Sequence, residues 1–254
     1  MTLWNRRITV FFWACTVAMA AIVILNIALG VFYDSDHFGD TLFLLGAGWR
    51  AHEGLTPALD FGHFYGGTMA NGLALTMRAA GHGVFVFDIF TLGLAAALVA
   101  LAAALFAGRL TSAGLAALAA ALTALMLTRH PLEMSAAVTG VISTHSFLYN
   151  RFGLAAAMLA VLFVALAPAS AHARREFWGA LSLGALAVLV LLSKPTFFVL
   201  PIGLALGLAV QGRWRGLAGA GIGTLGAMAL LDPFGARWLA SVAYAQAQVG
   251  GQES

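Results

Sequence analysis

Five acidic side chains, Asp34, Asp36, Asp40, Glu53 and Asp60, stand between positions 34 and 66 of a 254-residue chain that holds only ten acids. Three histidines, His37, His52 and His63, share the stretch. Such oxygen and nitrogen donors suit a divalent cation such as Mg or Mn, for which Asp34 and Asp36 are the first candidates. No His-Glu-x-x-His spacing is present, so the metal reading rests on composition alone. Asp36 and Asp40 are four apart and share a face if a helix begins by Asp36. The Asp34-Ser-Asp36 pair would instead meet the free amides of a helix entrance, and the plain reading of either acid is an N-cap. For the cluster, the plain reading is a solvated loop.

Two cations interrupt long apolar sequence: Arg151 in Tyr149-Asn150-Arg151, and Lys194 in Ser193-Lys194-Pro195-Thr196. Each costs a few kcal/mol if it sits at membrane depth, and the alternative is that both mark helix ends and snorkel to headgroups. The proline after Lys194 predicts a break in the chain, and broken helices at membrane depth line cavities. Asp88 reads either as a relay residue or as a helix-start acid near the interface. Glu133, near His130 and Pro131, is a second acid of undecided role, and His145 is a helix-packing residue. Asp232-Pro233 reads as a turn that ends the last span, and the tail 246–254 follows no pattern.

The elements that position these groups follow from composition. Hydrophobic residues make up 61% of the chain and charged ones 9%, with mean hydropathy +0.93. That leaves too little polar surface for a soluble globule, and no stretch is long enough for a separate soluble domain. The 13 basic residues are scattered, which excludes a nucleic-acid stripe. Cys15 is the one cysteine, so there is no internal disulfide. Apolar runs at 8–33, 66–77, 84–108, 110–128, 152–171, 177–193, 195–212 and 216–231 predict eight helices. The first follows Arg6-Arg7, which places the N-terminus in the cytoplasm.

The uncharged but polar segment 134–149 decides the rest of the topology. If it crosses, basic residues divide eight inside to five outside; if not, seven to six. The positive-inside bias favours crossing. The expected fold is therefore an all-α membrane protein, one polytopic bundle of about eight to nine transmembrane helices. The 34–66 loop, Asn150-Arg151, Lys194 and Asp232 then share the extracytoplasmic face. Within that loop Phe38, Leu42, Leu45 and Trp49 recur at spacings of four, three and four. They predict a helix along the membrane surface with Trp49 at headgroup level.

The apolar first run, the acidic loop, the surface helix ending in Trp49-Arg50-Ala-His-Glu-Gly-Leu-Thr-Pro57, then Asp60-Phe61 and Tyr65-Gly66-Gly67, together resemble the multipass GT-C glycosyltransferases. The protein mannosyltransferase and aminoarabinose transferase-like group is the nearest. The likeness is clearest to about residue 110. Two departures stand out: Asp36-His37 or Asp40-Thr41 replaces the familiar Asp-Glu pair, and the chain is shorter than members of the superfamily. It is thus expected to be a fragment, a truncated relative or a minimal core.

The resemblance implies transfer of a sugar from a polyprenyl-phosphate donor to a glycan, lipid or protein acceptor at the outer face of a bacterial inner membrane. Asp36, Asp40 or Asp34 would be the catalytic acid, and Asp60 or Asp34 would assist or hold a metal. His63, Tyr65 and Asn150 would bind substrate, with Arg151 and Lys194 on the leaving phosphate. The rival readings are a transporter or lipid flippase, for which polarity should lie near the midplane, and a noncatalytic assembly subunit.

Overall fold

The computed structural model describes residues 3–29, 38–61, 67–83, 85–127, 148–166 and 173–250. Among them the chain is helical, with no strand: α1 (Leu3–Ala28), α2 (Phe38–His52), α3 (Gly67–Ala80), α4 (Val86–Phe106), α5 (Ser112–Leu127), α6 (Leu148–Ala165), α7 (Ala173–Leu191), α8 (Val199–Val210), α9 (Trp214–Leu231) and α10 (Ala236–Gly250). Short 3-10 turns, Pro195–Phe198 and Pro233–Gly235, lead into α8 and α10. Every one of the eight apolar runs contains a helix, and α2 is the helix expected within the first loop. The segment 134–149 lies outside the described residues up to Leu148, where α6 begins.

Among the described residues three helices are long and apolar enough to cross a membrane: Trp4–Ala28, Val86–Phe106 and Leu148–Ala165. A fourth span results if α9 and the start of α10, bent by 76°, count as one. This falls short of the eight or nine spans that the apolar runs predict, and the reason is length. At 1.5 Å per residue, the 16 residues of α5 reach about 24 Å and the 12 of α8 about 18 Å, against a core of about 30 Å. The 19-residue α7 opens on Arg174, Arg175 and Glu176, which shortens its apolar part.

The chain forms two compact units, one of Met1–Phe43 and Ala80–Ala155, the other of Leu44–Ala79 and Ala156–Ser254. In the first, α5 packs against both α1 and α4. Alanines on α5 (Ala116, Ala119, Ala120) and α4 (Ala95, Ala102) are buried, small side chains that let apolar helices approach closely. Gly108, at φ 85°, turns the chain between α4 and α5, and Thr111 Oγ1 accepts the Gly114 N–H at 3.1 Å to cap α5.

In the second unit α2 presents Ala47, Gly48 and Ala51 to Ala70, Leu73, Ala74 and Met77 of α3. The apolar stripe read from the sequence lies on another side of α2, where Leu42 and Trp49 are exposed. The tightest packing is between α7 and α9. A Cβ at Gly219 would overlap the Phe177 carbonyl, one at Gly223 the Leu181 carbonyl, and one at Gly184 the Ala220 carbonyl. Positions 177 and 181 meet 219 and 223 in the same order, so the two helices run parallel, with α8 returning between them in sequence. Gly221 and Gly226 face open space on the far side of α9.

Gly223→Ala must push α7 and α9 apart and is expected to cost about 1–3 kcal/mol. Gly221→Ala meets no neighbour and should cost nothing measurable. Unfolding of the two variants in mixed detergent micelles distinguishes them, and equal losses would contradict this packing.

Candidate functional site

The site expected from the sequence is only partly within reach of the described residues. Asp34, Asp36, His63 and Tyr65 lie outside them, as do His37, His130, Glu133 and His145. Asp40 lies in the first turn of α2. Asn150 and Arg151 are half-buried in the first turn of α6. A guanidinium there opposes the helix dipole, so helix stability does not explain Arg151. Asp88 is likewise in a first turn, that of α4, where the dipole favours a carboxylate, and it is buried. The helix-start reading of Asp88 fits this position.

The second unit gathers its polar groups at two ends. At one, α7 stops and the chain breaks as the Lys194-Pro195 sequence predicts. Lys194 is extended (φ −154°, ψ 119°), and Pro195 opens the 3-10 turn that leads into α8. The Ser193 and Lys194 amides both donate to Val190 O at 3.0 Å, while Ser193 Oγ donates to Leu189 O at 2.7 Å, closing the end of α7. Lys194 is half-buried, and burial lowers the pKa of its ammonium below the ordinary lysine value. The Thr68 N–H donates to Leu192 O at 3.3 Å, which ties the start of α3 to this break.

The turn that carries Asp60 adjoins the same start of α3, since a Cβ at Gly67 would touch Pro57. That turn is closely held. Asp60 Oδ2 accepts the Thr56 N–H at 2.6 Å, and the Asp60 N–H donates to Thr56 O at 2.9 Å. Ala58 sits at φ 69°, a left-handed conformation costing an alanine about 1–2 kcal/mol, and the Arg50 guanidinium lies 5.3 Å from the Phe61 ring centre. Gly54, at φ 94°, ends α2 by the Schellman pattern, with Leu55 N–H on Arg50 O and Gly54 N–H on Ala51 O.

Because α7 and α9 are parallel, Asp232 at the end of α9 belongs to this end too. It does more than end a span. Buried to 1% exposure, its carboxylate accepts the Arg237 and Trp238 N–H groups at 2.8 and 2.9 Å and so caps α10. Helix α10 is invisible as an apolar run because Arg237, Trp238, Tyr244 and Gln246 interrupt its alanines. It packs against the 3-10 turn that follows Lys194. Trp238 Nε1 and Ser241 Oγ, three residues apart on α10, are buried without a hydrogen-bond partner among the described residues.

The other end holds a pair that local sequence reading misses. Arg213 Nε donates to Glu176 Oε1 at 2.6 Å across 37 positions. Its Nη1 reaches Phe163 O (3.0 Å), Val164 O (3.1 Å) and Gln211 Oε1 (3.1 Å), and the guanidinium lies 5.0 Å from the Phe163 ring centre. The carbonyls are orphans of the last turn of α6. The one signal in the sequence is that Glu176 is a lone acid beside Arg174-Arg175 in an otherwise apolar half.

No family model, curated protein or solved structure matches the chain. Among the described residues no three His, Cys, Asp or Glu side chains come together as metal ligands. The Asp60 carboxylate accepts a backbone amide through Oδ2.

Asp232→Ala removes both capping bonds of α10, a loss of about 0.5–2 kcal/mol, whereas Asp232→Asn keeps an acceptor. Amide hydrogen exchange over 236–250 should rise in the first variant and change little in the second. Unchanged exchange in Asp232→Ala would show that α10 does not depend on this cap.

Proposed function

We propose that the chain is a multipass membrane glycosyltransferase that moves a sugar from a polyprenyl-phosphate donor to a hydroxyl of a lipid, glycan or protein acceptor. In this reading the N-terminus is cytoplasmic, and the end of the second unit bearing Asp60, Lys194 and Asp232 opens on the extracytoplasmic face of a bacterial inner membrane. The observation that carries it is the convergence there of a half-buried ammonium, a held acidic turn and two buried donors without acceptors among the described residues. Those groups suit the oxygens of a phosphate, and the exposed apolar side chains along the helices, such as Leu75, Val161 and Leu225, suit a lipid tail.

The chemistry divides among this chain's residues. Asp36 or Asp40, or Asp34 in their place, takes the proton of the acceptor hydroxyl as its oxygen attacks the anomeric carbon. The bond from that carbon to the phosphate oxygen breaks, and polyprenyl phosphate leaves with the electron pair. Lys194 and Arg151 neutralise the charge that develops on the phosphate. Asn150, His63 and Tyr65 orient the sugar, and Asp60 holds the acceptor side of the loop. Mg or Mn on Asp34 and Asp36 would add Lewis acidity at the phosphate.

A second reading, a transporter or flippase, draws on the 76° break between α9 and α10 and on the break at Lys194, since broken helices line transport pathways. Transfer of radiolabelled sugar from polyprenyl-phosphate donors in native membranes separates the two. Asp40→Asn or Asp36→Asn should lower transfer about 100-fold or more at unchanged expression, and Lys194→Met should lower it as well. Full transfer in the quadruple Asn variant of Asp34, Asp36, Asp40 and Asp60 refutes the enzyme reading. In a Cys15→Ala background, Leu59→Cys and Thr196→Cys should both label from outside intact cells. Labelling of either from the cytoplasm alone would dismantle the site.

A further inference from the structure

Arg174 and Arg175 stand in the first turn of α7, and Arg215 in the first turn of α9; all three are exposed. A helix N-terminus carries the positive end of the dipole, and cations are unfavourable there. Because α7 and α9 are parallel, two such ends lie side by side beneath these three guanidinium groups. Among the described residues no ion pair offsets them. Glu176, the acid beside them in the first turn of α7, has its Oε1 held by Arg213, and the sequence from 164 to 175 and from 205 to 218 contains no acid at all. Arg213 itself is more than nine-tenths buried, and its Nη2 has no partner among the described residues.

The surroundings identify the missing anion. Trp178 and Trp214 are 53% and 66% exposed beside the arginines, and indole rings settle at the headgroup level of a bilayer. Further along the helices the exposed side chains turn apolar, with Leu206 and Val210 on α8 and Ile222 and Leu225 on α9. A soluble anion has no use for that continuation, whereas an acyl chain does. We infer that this end of the second unit binds the headgroup phosphates of anionic phospholipids, which neutralise Arg174, Arg175 and Arg215 while Trp178 and Trp214 mark the interface. The lipid thus completes the electrostatics of two parallel helix N-termini. In cells this fixes the leaflet that faces the basic end, independently of any activity at the opposite one.

Native mass spectrometry of the purified chain in detergent tests this directly. With phosphatidylglycerol and phosphatidylcholine of the same acyl chains supplied in equal amounts, the wild type should retain the anionic lipid several-fold over the zwitterionic one. The triple variant Arg174→Gln, Arg175→Gln, Arg215→Gln should lose that preference, and the corresponding triple Lys variant should keep most of it. Equal retention of the two lipids by the wild type would overturn the inference, as would an undiminished preference in the Gln variant. Displacement of the lipid by excess inorganic phosphate would assign the site to a free anion instead. If the triple Gln variant fails to fold, the single exposed substitution Arg215→Gln carries the comparison, with a partial loss expected.

Discussion

The ion pair between Arg213 and Glu176 is the constraint on which the second unit depends. Desolvating both charges costs several kcal/mol per ion, so such a pair persists only where nearly every donor and acceptor is engaged. Here the guanidinium joins four helix ends. It closes the carbonyls of α6, follows the Schellman cap that Gly212 (φ 66°) places at the end of α8, leads into α9, and holds the acid in the first turn of α7. Glu176 in turn lies 3.1 Å from where a Cβ of Gly216 would be, so the same carboxylate faces the start of α9. Two positive dipole ends and one guanidinium therefore stabilise a single buried charge.

The consequence is carried along the unit by glycine. With α7 and α9 pinned at their starts, Gly219, Gly223 and Gly184 let backbone meet backbone, and no side chain could slip the register without a collision. The two helices have 19 and 18 residues, so both rise about 27–28 Å and end together. That is why the Lys194 break and the Asp232 cap lie at one end although 38 positions separate them in sequence. Gly207 of α8 leaves room for the Val164 side chain of α6. The Lys194 break and the Asp232 cap are thus positioned by a charge pair at the opposite end of the unit.

What could be read from the sequence, and what could not, follows from this division. Helices announce themselves by charge-free runs, and the runs at 84–108 and 110–128 differ from α4 and α5 by only a residue or two at each end. The break after Lys194 was legible because proline removes a donor and restricts the residue before it. The span count was not, because an apolar run includes the turns that flank a helix, and α8 keeps only 12 residues of its run. Helix α10 has no continuous apolar run to announce it, its alanines being interspersed with Ser241, Tyr244, Gln246 and Gln248; its start is set by a carboxylate four residues upstream. The pairing of Glu176 with Arg213 is tertiary, and nothing in local spacing encodes it. Of the acids in the first loop, the described residues reach Asp40, Glu53 and Asp60, and for Asp60 they reveal a backbone partner that composition could not.

The parallel arrangement also sets the electrostatics of the Lys194 end. The C-termini of α7 and α9 bring two negative dipole ends there, which welcome the Lys194 ammonium and oppose a carboxylate. The Asp232 carboxyl group nevertheless finds its partners there, because it answers to the start of α10 rather than to the end of α9, through two N–H bonds. An anion approaching this end meets repulsion over most of it and attraction only where Lys194, the turn into α8 and the donors of α10 converge. In the proposed transferase, specificity for one orientation of the donor phosphate follows from that contrast, not from the strength of any one contact. The basic end has the reverse pattern, with positive dipole ends and positive side chains reinforcing one another. The two ends of the unit therefore differ in the sign of their dipoles, negative at the Lys194 end and positive at the basic end, a difference set by two helices that start together.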